Sequence, residues 1–206
     1  MIDILATFIT FFAVIDPIGT IPVFLAVTDK FDQKAKHRIA ILAALYSAAI
    51  LIFFVVIGEL VLRALSIPLP AFQISGGIVL FLFALDMIFG DSKPEGEMRL
   101  IEKNHDETAV FPLAVPSIAS PGAMLAAVLL TENSVFSIWE QAQTVVVMLA
   151  VILLAYILML LGGRINKIVG SSGANVVSRI MGMILSSVAI TNILAGLREY
   201  STLFQA

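Results

Sequence analysis

Asp16-Pro17-Ile18-Gly19-Thr20-Ile21-Pro22 lies inside the apolar run 4–28, and Pro116-Ser117-Ile118-Ala119-Ser120-Pro121-Gly122 lies inside the run 110–131. Each run is long enough to cross a bilayer as one helix, yet each carries a helix-starting signal near its middle. Asp or Ser followed by Pro is an N-cap residue with proline at the first helical position. Proline also lacks a backbone donor and clashes with the preceding turn, so neither helix is expected to run unbroken. Irregular backbone at membrane depth is tolerated only where protein buries it or where it lines a cavity. Function is therefore expected at these two breaks.

Composition places the chain in a membrane. Of 206 residues, 60% are hydrophobic and 13% charged, and the mean hydropathy is +1.04. A soluble domain of this size could not hide so much apolar surface. The absence of cysteine excludes disulfide scaffolds, dithiol relays and thiolate metal sites. A net charge of −3 without an aromatic-laced basic cluster argues against nucleic acid as a partner. No metal site, cofactor signature or catalytic motif stands out, so no enzyme activity is expected. The N-terminus has neither a basic n-region nor a small-residue cleavage site, so the first run is expected to stay in the mature chain.

Six runs reach the roughly 20 residues that a bilayer core demands, near 4–28, 39–62, 68–89, 110–131, 142–162 and 176–197. The segments between them, 29–38, 63–68, 90–109, 132–141 and 163–175, read as loops. The loop 90–109 holds six acidic and three basic side chains and reads as a solvated linker. The expected organisation is a single all-α membrane domain over 1–206: a three-helix repeat at 1–90, a cytoplasmic linker at 91–109, and a second three-helix repeat at 110–206.

Orientation follows from the basic residues. Lys30, Lys34, Lys36, Arg38, Lys93, Arg99, Lys103, Arg164, Lys167 and Arg179 fall on one side, and only Arg63 and Arg198 on the other. The positive-inside rule puts the ten in the cytoplasm and both termini outside the cell (inner) membrane.

A shift of 104 residues lays Asp16-Pro17 on Ser120-Pro121 and Gly58 on Gly162. A shift of 105 lays Gly77 on Gly182, Leu80 on Leu185 and Ala84 on Ala189. With three spans per half, the second copy enters from the opposite side, giving an inverted-topology repeat. Interrupted segments at matching positions of two such halves point to the binding site of a secondary transporter. The half-helices beginning at Pro17 and Pro121 would both start at the midplane, presenting unsatisfied N–H groups and positive dipole ends to a shared space. Such ends suit a substrate carboxylate. Gly19, Gly122 and Ala123 leave the backbone approachable, and Asp16 supplies a charge for an ammonium, Na+ or H+. The binding set is thus Asp16, Pro17, Gly19, Thr20, Ser120, Pro121, Gly122 and Ala123, with Asp16 also the ion-coupling residue. The plainer alternative is that Asp16 and Ser120 only cap kinked helices.

Other polar positions carry two readings each. Thr191 and Asn192 either line the pocket or make a helix–helix hydrogen bond. Asp86 reads as a snorkelling or capping residue and Glu59 as interfacial. Gly76-Gly77, Gly162-Gly163 and Gly182-x-x-x-Ser186 read as close-packing faces. Trp139 reads as an interfacial anchor.

Ile15-Asp16-Pro17-Ile18-Gly19-Thr20-Ile21-Pro22-Val23-Phe24-Leu25 resembles the first-helix signature of the MarC family of bacterial and archaeal membrane proteins. Pro112 to Pro116 and Ser120-Pro121-Gly122-Ala123 are similar to its fourth-helix signature. Gly76-Gly77-Ile78-Val79-Leu80-Phe81-Leu82 and Arg179-Ile180-Met181-Gly182 resemble its third and sixth helices. The family pattern more often has glycine at the position of Ser120 and glutamine at that of Thr191. The resemblance implies a transporter of small neutral amino acids, distantly related to exporters of the LysE type. Two functions stay open: a secondary transporter or exporter of a small zwitterion, and a non-transporting scaffold or subunit whose broken helices serve packing. The expected partners are such an amino acid and the lipid bilayer, with room for a homo-oligomer. No cofactor is expected beyond a coupling cation, Na+ or H+.

Overall fold

The computed structural model describes residues 2–89, 108–133 and 135–202. Among these every regular element is a helix. Most of the expected linker, 91–107, lies outside the described residues; Thr108 and Ala109, its last expected positions, are buried.

Local chemistry sets the helix ends. Helix α1, Ile4–Ile15, begins where the Asp3 carboxylate accepts the Ala6 N–H at 3.0 Å, an N-cap. It stops at Asp16, which adopts the left-handed conformation (φ 48°) and is followed by Pro17. Helix α2, Thr20–Thr28, follows. Helix α3, Gln33–Ala64, is capped by the Asp32 carboxylate accepting the Ala35 N–H at 2.8 Å. The helix thus begins six residues before the expected start at 39, so most of the expected first loop is the first turn and a half of α3. Helix α4, Leu69–Phe89, follows a tight turn.

Segment α5, Ala109–Ile118, is an irregular coil. Phe111 (φ −129°, ψ 128°) and Val115 (φ −130°, ψ 126°) are extended. Each precedes a proline, and the proline ring drives its predecessor out of the helical region. Helix α6, Pro121–Leu129, restarts with Ser120 as N-cap and Pro121 at the first position. Helical backbone then runs over α7, Ile138–Thr202. The residues 163–175, expected as a loop, are helical too.

A straight α7 would be about 100 Å long, so its packing partners decide its path. Near its start, Thr144 lies by the Leu130 carbonyl (3.4 Å). Gly162 sits beside Ile21 and Leu25 of α2, the short helix that leads into α3. Gly182 sits beside Ala84, Met87 and Ile88, near the far end of α4, and Gly196 beside Pro70 and Ile74 at its start. Because α3 and α4 are joined by a tight turn, the end of α4 lies at the same end of the bundle as the start of α3. Gly162 and Gly182 are therefore at one end, and Thr144 and Gly196 at the other. The segment Ile138–Ile165 crosses the bundle and Arg179–Ser201 returns along α4.

Five helical stretches are long and apolar enough to cross a membrane: Ile4–Thr28, Gln33–Ala64, Leu69–Phe89, Ile138–Ile165 and Arg179–Ser201. A sixth appears if α5 and α6, bent by 56°, count as one span. Their outward residues are apolar: Leu5, Val56, Leu60, Leu82 and Val146 are all more than half exposed. This is the pattern of a chain whose solvent is lipid.

The seam between α4 and Arg179–Ser201 brings main chain close to main chain. A Cβ built on Gly77 would lie 3.1 Å from the Ala189 carbonyl oxygen and 2.7 Å from Ile193 Cγ1. A Cβ on Gly182 would lie 3.0 Å from the Ala84 carbonyl oxygen and 2.9 Å from Ile88 Cγ1. Gly77, Ala84 and Ile88 stand 105 residues before Gly182, Ala189 and Ile193, so the two contacts are counterparts under one shift. Small residues let the backbones approach this closely, where dispersion and interhelical contacts do the work that water-driven burial does elsewhere. Gly162 also packs a neighbour and Gly76 packs against Leu125, whereas Gly163 has nothing within 4 Å of where its Cβ would stand.

Candidate functional site

The two interrupted stretches meet inside the protein. The Ser120 hydroxyl donates to the Val14 carbonyl at 2.7 Å and accepts the Ala123 N–H at 3.1 Å. The Thr20 and Ser117 hydroxyls lie 3.2 Å apart. Ser120 is fully buried, and Thr20 and Asp16 nearly so, at 1% and 6% exposure. A buried carbonyl at a helix C-terminus needs a partner from somewhere. Val14, in the last turn of α1, finds one 106 residues away in sequence.

Asp16 builds the first break almost alone. Its N–H donates to the Phe12 carbonyl at 3.1 Å, closing α1. Its own carbonyl accepts both the Thr20 N–H (3.1 Å) and the Thr20 hydroxyl (3.0 Å), and one carboxylate oxygen accepts the Gly19 N–H at 3.0 Å. The left-handed conformation that aims these groups is one that Asp and Asn tolerate better than most residues. On the second break, the Met124 N–H donates to the Ser120 carbonyl at 3.0 Å.

The expectation of open N–H groups at these ends is thus corrected. Those of Gly19, Thr20, Ala123 and Met124 are taken by Asp16 and Ser120. The glycines are corrected in the same way. A side chain on Gly19 would collide with the Asp16 carboxylate, and one on Gly122 with Leu80 of α4, so the space they leave is filled by the protein itself.

Of the expected site residues, Asp16, Pro17, Gly19, Thr20, Ser120, Pro121, Gly122 and Ala123 converge at the breaks. Thr191 does not join them. It is exposed and its hydroxyl donates to the Ser187 carbonyl, one turn back, at 2.9 Å. Asn192 is half-buried on the same helix. Sequence reasoning passed over Ser117, although it stands three residues before Ser120 in the same motif. It also passed over Ser47, whose hydroxyl donates to the Ala43 carbonyl (2.7 Å) with the Ala114 carbonyl at 3.5 Å.

The break halves leave in opposite directions. Helix α2 leads to the end of the bundle holding the start of α3. Helix α6 leads to the other end, where the Asn133 N–H and side-chain amide donate to one oxygen of Glu59 (2.9 and 2.7 Å). Through these bonds Glu59, expected as interfacial, ties α3 to the chain beyond α6, and it also pairs with Arg63 one turn on in the same helix.

Comparison with known proteins agrees with this all-helical membrane architecture. A family model described as "MarC family integral membrane protein" matches residues 1–201. A protein of Methanocaldococcus jannaschii is 32% identical over 194 residues, covering 93% of this chain and 94% of that protein. One of Archaeoglobus fulgidus is 32% identical over 203 residues, 94% and 92% of the two chains. One of Bacillus subtilis is 33% identical over 201 residues, 95% and 94%. All three are described only as UPF0056 membrane proteins. No solved structure matches.

Proposed function

The chain belongs to the MarC family of multi-pass integral membrane proteins, and from that premise we propose that it is a secondary transporter or exporter of a small zwitterionic solute. Small neutral amino acids are the foremost candidates. The observation that carries this reading is the meeting of two interrupted helices, from opposite halves of the chain, around a buried carboxylate and three hydroxyls. Interrupted helices paired across two halves are the usual architecture of a transporter's solute site. A buried acidic group in a membrane span normally belongs to a solute or ion path.

In this reading α1–α2 and α5–α6 are broken spans at equivalent places of two inverted three-helix repeats. The opposed directions of α2 and α6 support that relation. So do the counterpart contacts of Gly77 and Gly182, which a two-fold pseudo-symmetry axis would interconvert. Asp16 takes the coupling cation, Na+ or H+, or the solute's ammonium, and the reading needs no cofactor or covalent chemistry.

Counterflow of labelled L-alanine, L-serine and glycine in proteoliposomes, at varied Na+ and pH, tests the proposal. Accumulation above protein-free vesicles, abolished by dissipating the coupling gradient in net uptake, is the expected result. A chain that exchanges none of these solutes is instead a packing scaffold, a role that the mutual satisfaction of the polar groups at the breaks would also suit.

The distribution of basic residues also supports a reading with both termini outside the inner membrane. Reporter fusions at the C-terminus should be active with a periplasmic enzyme and dark with a cytoplasmic fluorophore. The opposite pattern would reverse the orientation.

A further inference from the structure

The Ser120 hydroxyl serves two helices at once. It is the N-cap of α6, accepting the Ala123 N–H, and it donates to Val14 at the end of α1. Its one proton and its lone pairs are thus committed to elements from different halves of the chain. A cap needs only the acceptor function. The donor function is additional, and it is the only part of the group that reaches across to the other half.

We propose that Ser120 is the latch of the solute site: its bond to the Val14 carbonyl holds the two breaks shut against water, and the site opens when that bond parts. This deepens the transport reading and rests on it for its purpose, while the closure itself stands on the geometry. Three features converge. The bond spans the place where the two breaks touch, with Ser120 fully buried. The neighbouring Thr20–Ser117 contact joins the same two segments but is longer, at 3.2 Å. Parting the latch strands a buried carbonyl unless water or solute replaces the hydroxyl. A small solute's ammonium is a donor able to do so, which makes opening and solute entry favour one another. Ser120 is then a positioning residue that sets how often the site is open.

The protein has no cysteine, so an introduced thiol reports alone. Ala119→Cys puts the reporter beside the latch, at a fully buried position. Ala155→Cys, equally buried but on α7, is the remote control. Ser120→Gly removes the donor while retaining most of the capping, since glycine is an accepted N-cap. In proteoliposomes treated with a membrane-impermeant thiol reagent, Ser120→Gly should accelerate labelling at position 119 about tenfold, equivalent to about 1.4 kcal/mol. Labelling at position 155 should be unchanged. Equal rates at 119 with and without the serine overturn the latch. So does a matching rise at 155, which would mean general loosening, or fast labelling at 119 in the parent. L-alanine counterflow by the parent is measured in parallel. Its absence removes the transport reading, while the labelling ratio decides the latch by itself.

Discussion

Asp16→Asn should reduce amino acid counterflow by at least about tenfold, a barrier change of about 1.4 kcal/mol, while the protein folds and melts as before. The structure makes this substitution unusually clean. Asn accepts the left-handed backbone of Asp16 (φ 48°) as readily as Asp does. Its amide oxygen can receive the Gly19 N–H as the carboxylate oxygen does. The backbone bonds from Thr20 and to Phe12 do not involve the side chain at all. These bonds stay while the negative charge goes. A position 6% exposed inside an apolar bundle is costly for a charge, and removing that cost should if anything favour the fold. Expression, monodispersity and melting are read beside transport. Full activity with normal melting would reduce Asp16 to a cap, because Asp and Asn cap about equally well.

Gly182→Leu should produce the largest loss of stability, and Gly77→Leu should match it. In each case the first added carbon meets a main-chain oxygen across the seam, at 3.0 and 3.1 Å before any of the longer side chain is placed. A flexible side chain could rotate aside; the backbone of α4 or of its partner cannot without the helices separating. Overpacking in a well-fitted interior costs about 1–3 kcal/mol, and more where nothing can yield. Both variants should melt earlier in detergent, and by similar amounts because the contacts are counterparts. Gly163→Ala is the control: its Cβ meets nothing within 4 Å, and alanine is the better helix former by about 1 kcal/mol. It should be neutral or stabilising. Unequal losses at Gly77 and Gly182 would count against the pseudo-symmetric seam.

What was legible in the sequence was what short-range chemistry dictates. Proline and a capping residue act within a few positions, so the start of α6 at Ser120-Pro121 was placed to the residue. Asp16, expected to cap a helix starting at Pro17, instead closes α1, and α2 starts only at Thr20. What escaped was decided by distant chain. Nothing near Val14 announces that its carbonyl will be met by Ser120, nor near Glu59 that it will hold Asn133. The stretch 163–175 carries glycines, serines and charges that favour a loop, yet its backbone is helical. Conversely, the matches Gly77–Gly182 and Ala84–Ala189 were slight as sequence but occupy one seam. Composition alone cannot tell such matches from the general likeness of apolar helices. The open N–H groups expected at the breaks were missed for a related reason: the residues chosen to start a helix also satisfy it.

The Ser120–Val14 and Thr20–Ser117 contacts bring together two helix beginnings, of α2 and α6, and the ending of α1. Beginnings carry partial positive charge and endings partial negative. At one point inside the bundle the backbone therefore sets two positive poles beside a negative one. A molecule bearing both signs a few ångströms apart can align with such a pattern and gain at both ends. Under transport, this would distinguish zwitterions from singly charged solutes by the direction of peptide dipoles, before any side chain takes part.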